Sequence, residues 1–326
     1  MRRTRSLRAR PDSPGSLRPP SSGLRTYSLR SRVSRVGVGD FATTFQPETG
    51  LPGFIDSLPN ILAAKEFKSF LGLLRTARSK RKPILMGLGA HVIKVGLSPV
   101  LIRLMEDGWV GGIALNGAGI IHDFEIAYCG RTSEDVAVQI RAGKFGMARE
   151  TGERLNAAIR QGARKGVGLG AAVGGMIAGS RLPFKNFSLL AAAYELGIPA
   201  SVHVAIGTDT IHFHPGCSGA ALGRTSLADF FLFCSVLEKL EGGGVYINIG
   251  SAVVLPEVFL KALSFVRNRG IRLEHFSTAV FDFLHHYRPE QNVVRRAVGK
   301  KGRGFYFVGH HEIMIPLLAA ALAAGR

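Results

Sequence analysis

The chain has 326 residues, of which 46% are hydrophobic and 20% charged, and it carries a formal net charge of +19 at pH 7. This length is sufficient for one large domain with a substantial buried core. The three cysteines, Cys129, Cys217 and Cys234, have no CxxC spacing. That argues for a reducing compartment and against a disulfide framework or a zinc ribbon. No uninterrupted apolar run is long enough for a membrane span, so we expect a cytoplasmic protein without a membrane partner.

The positive charge is concentrated at the N-terminus. Residues 1–40 hold ten arginines, no lysine and two acidic residues, which accounts for +8 of the +19. The segment is rich in Ser, Pro and Gly and has no hydrophobic periodicity, so we expect a disordered Arg-rich tail. An organellar transit peptide is an alternative interpretation, because such peptides are rich in Arg and Ser and poor in acids. A solvated tail explains the charge, so we expect no nucleic-acid partner and place one large domain at residues 41–326.

Along that domain, helical spacing of apolar residues alternates with short apolar runs that end in glycine. The helices are predicted at 51–80, 98–107, 134–160, 188–196, 225–241, 255–269 and 313–324, and the strands at 83–89, 110–115, 200–207, 245–250, 276–283 and 304–308. The glycine-dense stretch 162–179 is compatible with a closely packed helix or with a loop over the site. Strands alternating with helices predict a single α/β domain, doubly wound around a mostly parallel, Rossmann-like sheet. Its ligands should bind at the carboxyl ends of the strands.

The most informative turn follows the predicted strand Val110–Leu115. Small residues in Asn116-Gly-Ala-Gly119 allow a ligand to approach the backbone, and the N–H groups of the following helix can bind a phosphate. His122, Asp123 and Glu125 place titratable groups beside the turn. The outline is that of a nucleotide or cofactor site, and a plain strand-to-helix turn in which Asp123 caps the helix is the alternative.

Histidines also gather near the predicted strand ends. One hypothesis is a metal site, in which His212 and His214 share one face of an extended segment and Asp209 and His310 or His311 complete the ligands. The other is a polar pocket in which these histidines form hydrogen bonds and transfer protons. The spacing matches no standard metal signature, so we favour the pocket and expect no metal. The histidines concerned are His91, His122, His203, His212, His214, His310 and His311.

Several segments resemble the deoxyhypusine synthases over roughly residues 54–322. Ser188–Pro199 followed by Thr208-Asp209 resembles their helix–strand junction and Thr-Asp-Gly loop, and Leu115–Asp123 resembles their NAD turn. Met86–Gly96 lies where they carry another turn. Further similar segments are Arg288-Pro-Glu290 and Ile315–Ala320. His122–Glu125 is also similar to the NAD-binding domain of archaeal-type ornithine cyclodeaminases.

The resemblance implies NAD as cofactor and a tetramer with active sites between subunits. These enzymes oxidise an amine of spermidine to an imine and pass the aminobutyl group through an enzyme lysine to a protein lysine. Carried over by position, His122 faces NAD and Asp209 lies near the nucleotide. The predicted cofactor-binding residues are Gly87, Gly89, His91, Asn116, Gly117, Gly119, Asp209, Gly250 and Ser251.

The chain departs from that family at its catalytic lysine. The equivalent stretch is Val293–Val298, and Lys300 and Lys301 are displaced from the position. The family's Leu-Pro-Lys-His-His segment is here Leu255–Phe259, so the carboxylates left for a cationic substrate are Glu257, Glu312, Asp123 and Asp209. The predicted catalytic residues are His122, Asp123, His214, Glu257 and His310, with His122 or His214 as general base.

The working hypothesis is an NAD-dependent transferase that acts on a polyamine or related amine through a transient imine. Its partners would be a small-molecule amine and, as an open option, a protein acceptor. The alternatives are a metal-assisted hydrolase that uses the His/Asp cluster, an NAD-dependent amino-acid cyclodeaminase or lyase, and a catalytically silent NAD-binding protein.

Overall fold

The structure is a computed structural model that describes residues 24–324. The predictions for residues 1–23 lie outside this range. The described chain divides into a first unit that ends at Asp40 and a second that begins at Phe41. The first unit contains two short 3-10 turns, Leu29–Ser31 and Val38–Asp40, and its side chains are largely exposed.

The second unit is built on one sheet of six parallel strands in the order β3-β2-β1-β4-β5-β6. This confirms the predicted α/β, Rossmann-like fold. The order reverses between β1 and β4, which pair over the full length of β1. In such sheets this switch point opens a crevice at the carboxyl ends of the strands. The strands are β1 (Ile84–Leu88), β2 (Gly112–Asn116), β3 (Ala200–His203), β4 (Gly244–Ile249), β5 (Phe276–Asp282) and β6 (Gly304–Val308).

Thirteen helices connect and cover the strands in the described chain. They are α1 (Gly50–Ser57), α2 (Leu62–Ser79), α3 (Ala90–Lys94), α4 (Ser98–Glu106), α5 (Gly117–Cys129), α6 (Val136–Arg141), α7 (Arg149–Lys165), α8 (Leu169–Ala178), α9 (Leu189–Glu195), α10 (Gly219–Leu237), α11 (Val254–Asn268), α12 (Tyr287–Pro289) and α13 (His311–Ala323).

Two of the predicted helices are each broken in two. The segment 51–80 forms α1 and α2, with Pro59 in the connection, where proline disfavours a helical residue before it. The segment 134–160 forms α6 and α7, separated at Gly143 and Gly146, whose φ angles are +66° and +74°. Apolar spacing continues across both breaks, so the period alone does not reveal them.

The glycine-dense stretch 162–179 contains the closely packed helix α8, the first of its two predicted alternatives. A Cβ on Gly170 would lie 2.2 Å from the carbonyl oxygen of Ala200, and a Cβ on Gly174 would lie 2.5 Å from that of Leu190. The glycines therefore allow α8 to pack directly on the backbones of β3 and α9.

The core lies on both faces of the sheet. On one face, Phe70 of α2 packs against Phe281, Phe305 and Phe307 with ring centroids 5.3–5.9 Å apart. On the other face, Tyr246 stacks on Phe259 at 4.0 Å. Burying each of these large side chains contributes about 2–3 kcal/mol.

One helix of the described chain, Gly219–Leu240, is long and apolar enough to cross a membrane by length and composition, and 44% of its apolar window is buried. It packs against β3, α7 and α11. Its Asp229 accepts hydrogen bonds from the backbone N–H groups of Gly170 and Val202. These contacts are those of a core helix that covers the sheet.

Candidate functional site

The carboxyl ends of all six strands lie along one edge of the sheet, because the strands are parallel. Most of the predicted site residues follow these ends and therefore lie along this edge. They are spread along it and do not form a single site. In sheet order they are Asp209 after β3, Asn116–Gly119 after β2, Gly89 and His91 after β1, Gly250 and Ser251 after β4, and His310 after β6. Gly87 instead lies within β1, where the hydroxyl of Tyr246 would be 2.3 Å from an added Cβ.

The glycines at the start of α5 make room for other parts of the protein. A Cβ on Gly117 would lie 1.9 Å from Oδ2 of Asp209, and a Cβ on Gly119 would lie 2.9 Å from the Leu115 side chain. Asn116 caps the helix, since its Oδ1 accepts a hydrogen bond from the Gly119 N–H at 3.2 Å. The turn thus brings the Asp209 carboxyl against the positive end of α5.

Asp209 and His212 form a buried pair with unused hydrogen-bonding atoms. Nδ1 of His212 accepts from the N–H groups of Gly207 (3.0 Å) and Asp209 (3.3 Å), so the ring proton is on Nε2. That nitrogen lies 3.7 Å from Oδ2 of Asp209, and neither atom has a hydrogen-bond partner in the described chain. Burial raises the pKa of Asp209 to about 6 and lowers the pKa of His212.

The loop that carries this pair is not extended. Thr210–Phe213 forms a 3-10 turn, so the prediction that His212 and His214 share one face of an extended segment is wrong. The Nε2 of His214 donates to the carbonyl oxygen of Gly146 at 2.7 Å. An added Cβ on Gly152 would lie 1.9 Å from its Nδ1. His214 therefore fastens the turn to α7, and its predicted role as a base stays a prediction.

A cavity of about 190 Å³ lies beside the start of α5 and brings charged side chains from four segments together. We call it the His122 cavity. Its apolar lining includes Ile121, Val136 and Phe145. Its titratable lining residues are Lys94, His122, Glu125, Glu134 and Asp209. Glu134 is a lining residue that sequence reasoning missed, because the loop after α5 carries no recognisable signal.

His122 projects into this cavity as a neutral imidazole. Burial and the nearby charge of Lys94 lower the pKa of His122 to about 4. Its Nδ1 lies 2.6 Å from Oγ1 of Thr132, which in turn donates to Oε2 of Glu125 at 2.6 Å. The other oxygen of Glu125 accepts from Thr151 at 3.1 Å. Helical spacing places Glu125 one turn after His122, whereas nothing in the sequence indicates Thr132.

Asp123, the next residue in the chain, points away from the cavity into the core and is fully buried. Its carboxylate accepts from the hydroxyl of Ser188 (2.5 Å) and from the N–H groups of Leu189 (2.7 Å) and Leu190 (3.2 Å). Burial raises the pKa of Asp123 to about 6, although these hydrogen bonds act in the opposite direction. Asp123 thus caps α9, a different helix from the one that sequence analysis considered.

At the switch point, the ends of β1 and β4 are in close contact. A Cβ on Gly89 would lie 2.0 Å from the carbonyl oxygen of Gly250, whose φ is +64°. The ring of His311 lies beside Gly250, and its centroid is 5.4 Å from that of His91. Nε2 of His311 donates to the Phe281 carbonyl at 3.3 Å, which leaves its buried Nδ1 without a partner in residues 24–324.

The remaining predicted residues lie further along this edge. Ser251 accepts from the N–H of Leu255 at 3.2 Å and so supports the start of α11. Glu257 forms an ion pair with Lys261 and accepts from Nδ2 of Asn292 at 2.9 Å, and these contacts lower its pKa. His310 is largely exposed and lies 3.7 Å from Glu312. The structure does not bring Glu257 or His310 to the His122 cavity.

The hypothesised metal ligands are also separated. His212 and His214 follow β3 and His310 follows β6, and these two strands form opposite edges of the sheet. Five strand spacings, about 24 Å, lie between them. No group of three His, Cys, Asp or Glu side chains with metal-binding geometry occurs in residues 24–324. The proposed ligand set therefore does not form.

No protein-family model matches the chain, and no curated protein sequence matches it. Among solved structures, a candidate deoxyhypusine synthase from Entamoeba histolytica aligns over 86% of this chain and 96% of its own, with a TM-score of 0.52 and 10% identity. The ternary complex of AgrE with ornithine and NAD+ aligns over 80% of this chain with a TM-score of 0.50 and 16% identity. The alignment covers 33% of the AgrE chain, so this chain spans about a third of that protein.

A candidate LOR/SDH protein from Methanococcus maripaludis S2 aligns over 80% of this chain and 68% of its own, with a TM-score of 0.49 and 14% identity. At these identities the similarities concern the fold. With the Entamoeba histolytica protein and AgrE this chain shares an α/β fold.

Proposed function

We propose that the chain is an NAD-dependent enzyme that oxidises an amine to an imine at the carboxyl edge of the sheet. The observation that carries this proposal is the His122 cavity, which combines a neutral histidine with the carboxyl of Asp209, whose Oδ2 has no hydrogen-bond partner in residues 24–324. Pairs of titratable groups whose pKa values are shifted from their usual ranges mark acid–base sites.

Dinucleotide binding is supported by the position of this edge. Doubly wound sheets bind ligands at the switch point, here formed by Gly89 and Gly250 with His91 and Ser251 beside them. These residues would hold NAD, whose chemistry when bound is to take up a hydride from a substrate carbon. AgrE, a structural neighbour, was solved with NAD+ and ornithine.

An amine substrate is supported by the charges in the cavity. Three carboxyl groups, those of Glu125, Glu134 and Asp209, line it together with one lysine, Lys94. A bound ammonium group would ionise Asp209, because a nearby positive charge stabilises the carboxylate that burial disfavours. The same balance of charges suits a diamine or polyamine better than a substrate that carries a carboxylate alone.

The chain's own residues then divide the proton transfers. Nε2 of His122 would accept the proton of the substrate nitrogen, since its Nδ1 is bound to Thr132. Lys300 and Lys301 precede β6 and so lie at the amino edge of the sheet, away from the cavity. Lys94 is the lysine that lines the cavity. The nucleophile that attacks the imine carbon would therefore be the amine of Lys94, a free amine or water.

The test is to incubate the full chain with NAD and, in separate reactions, with spermidine and ornithine. Mass spectrometry would detect 1,3-diaminopropane from spermidine, and an ammonia assay would report deamination of ornithine. Turnover should be lost in His122→Gln and kept in His275→Gln, a matched change at the amino edge of the sheet. Binding of the dinucleotide is measured separately, from the change in NADH fluorescence when the protein is added.

Release of 1,3-diaminopropane would support the polyamine substrate, whereas ammonia alone would favour the cyclodeaminase. Absence of both products would refute the oxidation of these amines, and absence of NAD binding would refute the cofactor. A homotetramer, a protein acceptor and a cytoplasmic location stay predictions.

A further inference from the structure

A chain of three polar side chains joins the His122 cavity to a neighbouring cavity. Nδ1 of His122 lies 2.6 Å from Oγ1 of Thr132, and that hydroxyl lies 2.6 Å from Oε2 of Glu125. The second distance is typical of a strong hydrogen bond from a hydroxyl to a charged carboxylate. The ends of α5 are capped without these hydrogen bonds, by Asn116 at its start and by Gly130 at its end.

The hydrogen-bonding capacities of these groups place each proton. A carboxylate can only accept, and a hydroxyl has a single proton to donate. Thr132 gives that proton to Glu125, so its oxygen can only accept from His122. The ring of His122 therefore carries its proton on Nδ1, and the lone pair of Nε2 is left for the cavity. No hydrogen bond to Nε2 is formed within residues 24–324.

The chain of hydrogen bonds lies between two cavities. A second cavity of about 300 Å³, the Glu150 cavity, is lined by Glu150 and Thr151 together with Thr132. Glu125 lines both this cavity and the His122 cavity. A proton that reaches Glu125 is therefore held at the boundary of the two cavities and can pass to solvent or to another base in the second cavity.

We propose that His122, Thr132 and Glu125 form a proton relay that removes the proton of the substrate nitrogen from the His122 cavity. Nε2 of His122 gains that proton while Nδ1 releases its own to Oγ1 of Thr132. The hydroxyl proton of Thr132 passes to Oε2 of Glu125, which becomes a neutral carboxylic acid. His122 and Thr132 each gain one proton and lose one, Glu125 keeps the proton it gains, and the imidazole ends in its other tautomer.

The surroundings of His122 explain why a relay is needed. Burial and Lys94 hold the pKa of His122 near 4, so an imidazolium would be a poor resting place for a proton. In the relay the ring stays neutral throughout, and the positive charge never forms beside Lys94. The inference rests on the proposed function, because it requires a substrate that loses a proton in this cavity.

The first test needs no substrate. Two-bond 15N–1H correlation spectra of histidine-labelled full chain should show the His122 proton on Nδ1. Thr132→Ser retains the hydroxyl and should retain this tautomer, whereas Thr132→Val should shift it toward Nε2. Thr151→Val is the matched control, because Thr151 donates to the other oxygen of Glu125 and stands outside the relay. A proton on Nε2 in the wild-type chain would overturn the inference.

The second test uses turnover. Thr132→Val should lower kcat by about 10²-fold or more, while Thr132→Ser and Thr151→Val should stay close to wild type. Wild-type turnover with an equally active Thr132→Val would overturn the relay and leave the proposed function standing. A wild-type chain that turns over no amine with NAD would overturn both, so the two failures are distinguishable.

Discussion

The two sides of α5 contrast sharply in how their polar groups are satisfied. On the cavity side, Ala118, Ile121, His122 and Glu125 recur at helical spacing and line the His122 cavity. On the core side, Ile120, Asp123, Phe124 and Ala127 are fully buried. Asp123 has three donors for its two oxygens, whereas Asp209, which faces the cavity side, has a buried oxygen without a partner.

This difference distinguishes buried polar groups that stabilise the fold from buried polar groups that serve function. A buried carboxylate with matched donors holds elements together, while a buried oxygen without a partner lowers stability and is retained in native proteins mostly at functional sites. Because His122 and Asp123 are adjacent in the chain, this contrast depends on the helix that turns them to opposite sides. Four substitutions test it.

The largest effect is expected on the cavity side, from His122→Gln. Losing a general base lowers turnover by about 10²–10⁴-fold, while the free energy of unfolding should change by less than about 1 kcal/mol because one hydrogen bond is lost. Steady-state kinetics and urea unfolding would measure the two quantities. A variant that lost stability but kept its turnover would reverse the assignment.

The pH profile offers a check on the same residue. Since burial and Lys94 lower the pKa of His122 to about 4, the base is lost only when the pH falls through that value. The acid limb of kcat/KM should therefore lie near pH 4 rather than near 6.5.

On the core side, Asp123→Asn should lower the free energy of unfolding by about 3 kcal/mol. The amide keeps one acceptor oxygen but places an NH2 group against donors from the start of α9, which leaves buried N–H groups unpaired. Urea denaturation measures the loss. The matched control is Asp135→Asn, an exposed N-cap of α6 that accepts from Val138, where about 1 kcal/mol or less is expected. Equal losses at both positions would contradict the contrast.

Asp209→Asn should have the opposite sign and stabilise the protein by about 3 kcal/mol at pH 7. Burial raises the pKa of Asp209 from 3.8 to about 6, so the unfolded chain releases this proton at a lower pH than the folded one. Wild-type stability is therefore penalised as pH rises from about 4 to about 6, and the amide escapes this penalty. Unfolding free energies of both proteins at pH 4 and pH 7 give the comparison.

The gap between the two proteins should be small at pH 4 and reach its full size above pH 6. Other titrating groups cancel in the difference. A difference in unfolding free energy that is independent of pH, or a destabilised amide variant, would show that the Asp209 carboxyl has hydrogen-bond partners in solution. Asp209 would then no longer be an example of an unsatisfied buried group.

The smallest effect is expected for His214→Gln, which sharpens the choice between the two predicted bases. Loss of the hydrogen bond from Nε2 to the Gly146 carbonyl should cost about 1 kcal/mol of stability. Turnover should fall by less than about tenfold, far less than in His122→Gln. A larger loss of turnover than in His122→Gln would transfer the role of base to His214.

Much of the fold could be predicted from the sequence because strands and helices have distinct local signals. The apolar runs that end at Gly89, Asn116 and Gly250 correspond to β1, β2 and β4. The strand order could not be predicted, since it depends on pairing between segments far apart in the chain. The helix breaks at Pro59 and Gly143 were missed because the apolar period continues across them.

The location of the candidate site could be predicted from the sequence, but the contacts of its side chains could not. Parallel strands place every strand end at one edge, so His122 and Asp209 were expected near each other. Two contacts depend on the paths of loops, which no local sequence pattern encodes. They are the contact of His214 with Gly146 and the capping by Asp123 of the helix that begins at Leu189. Thr132 was missed for the same reason.

The end of α5 brings the three proposed relay residues together within a short stretch of the chain. Gly130 adopts the left-handed conformation that ends the helix, with φ of +69°, and two residues later the chain brings Thr132 back to His122. All three relay residues thus belong to one contiguous stretch, 122–132. Closing so short a loop costs little chain entropy, and it requires no distant strand pairing. The relay residues therefore align one another largely through neighbours in the chain, and the hydrogen bond from Thr151 to Glu125 ties this stretch to α7.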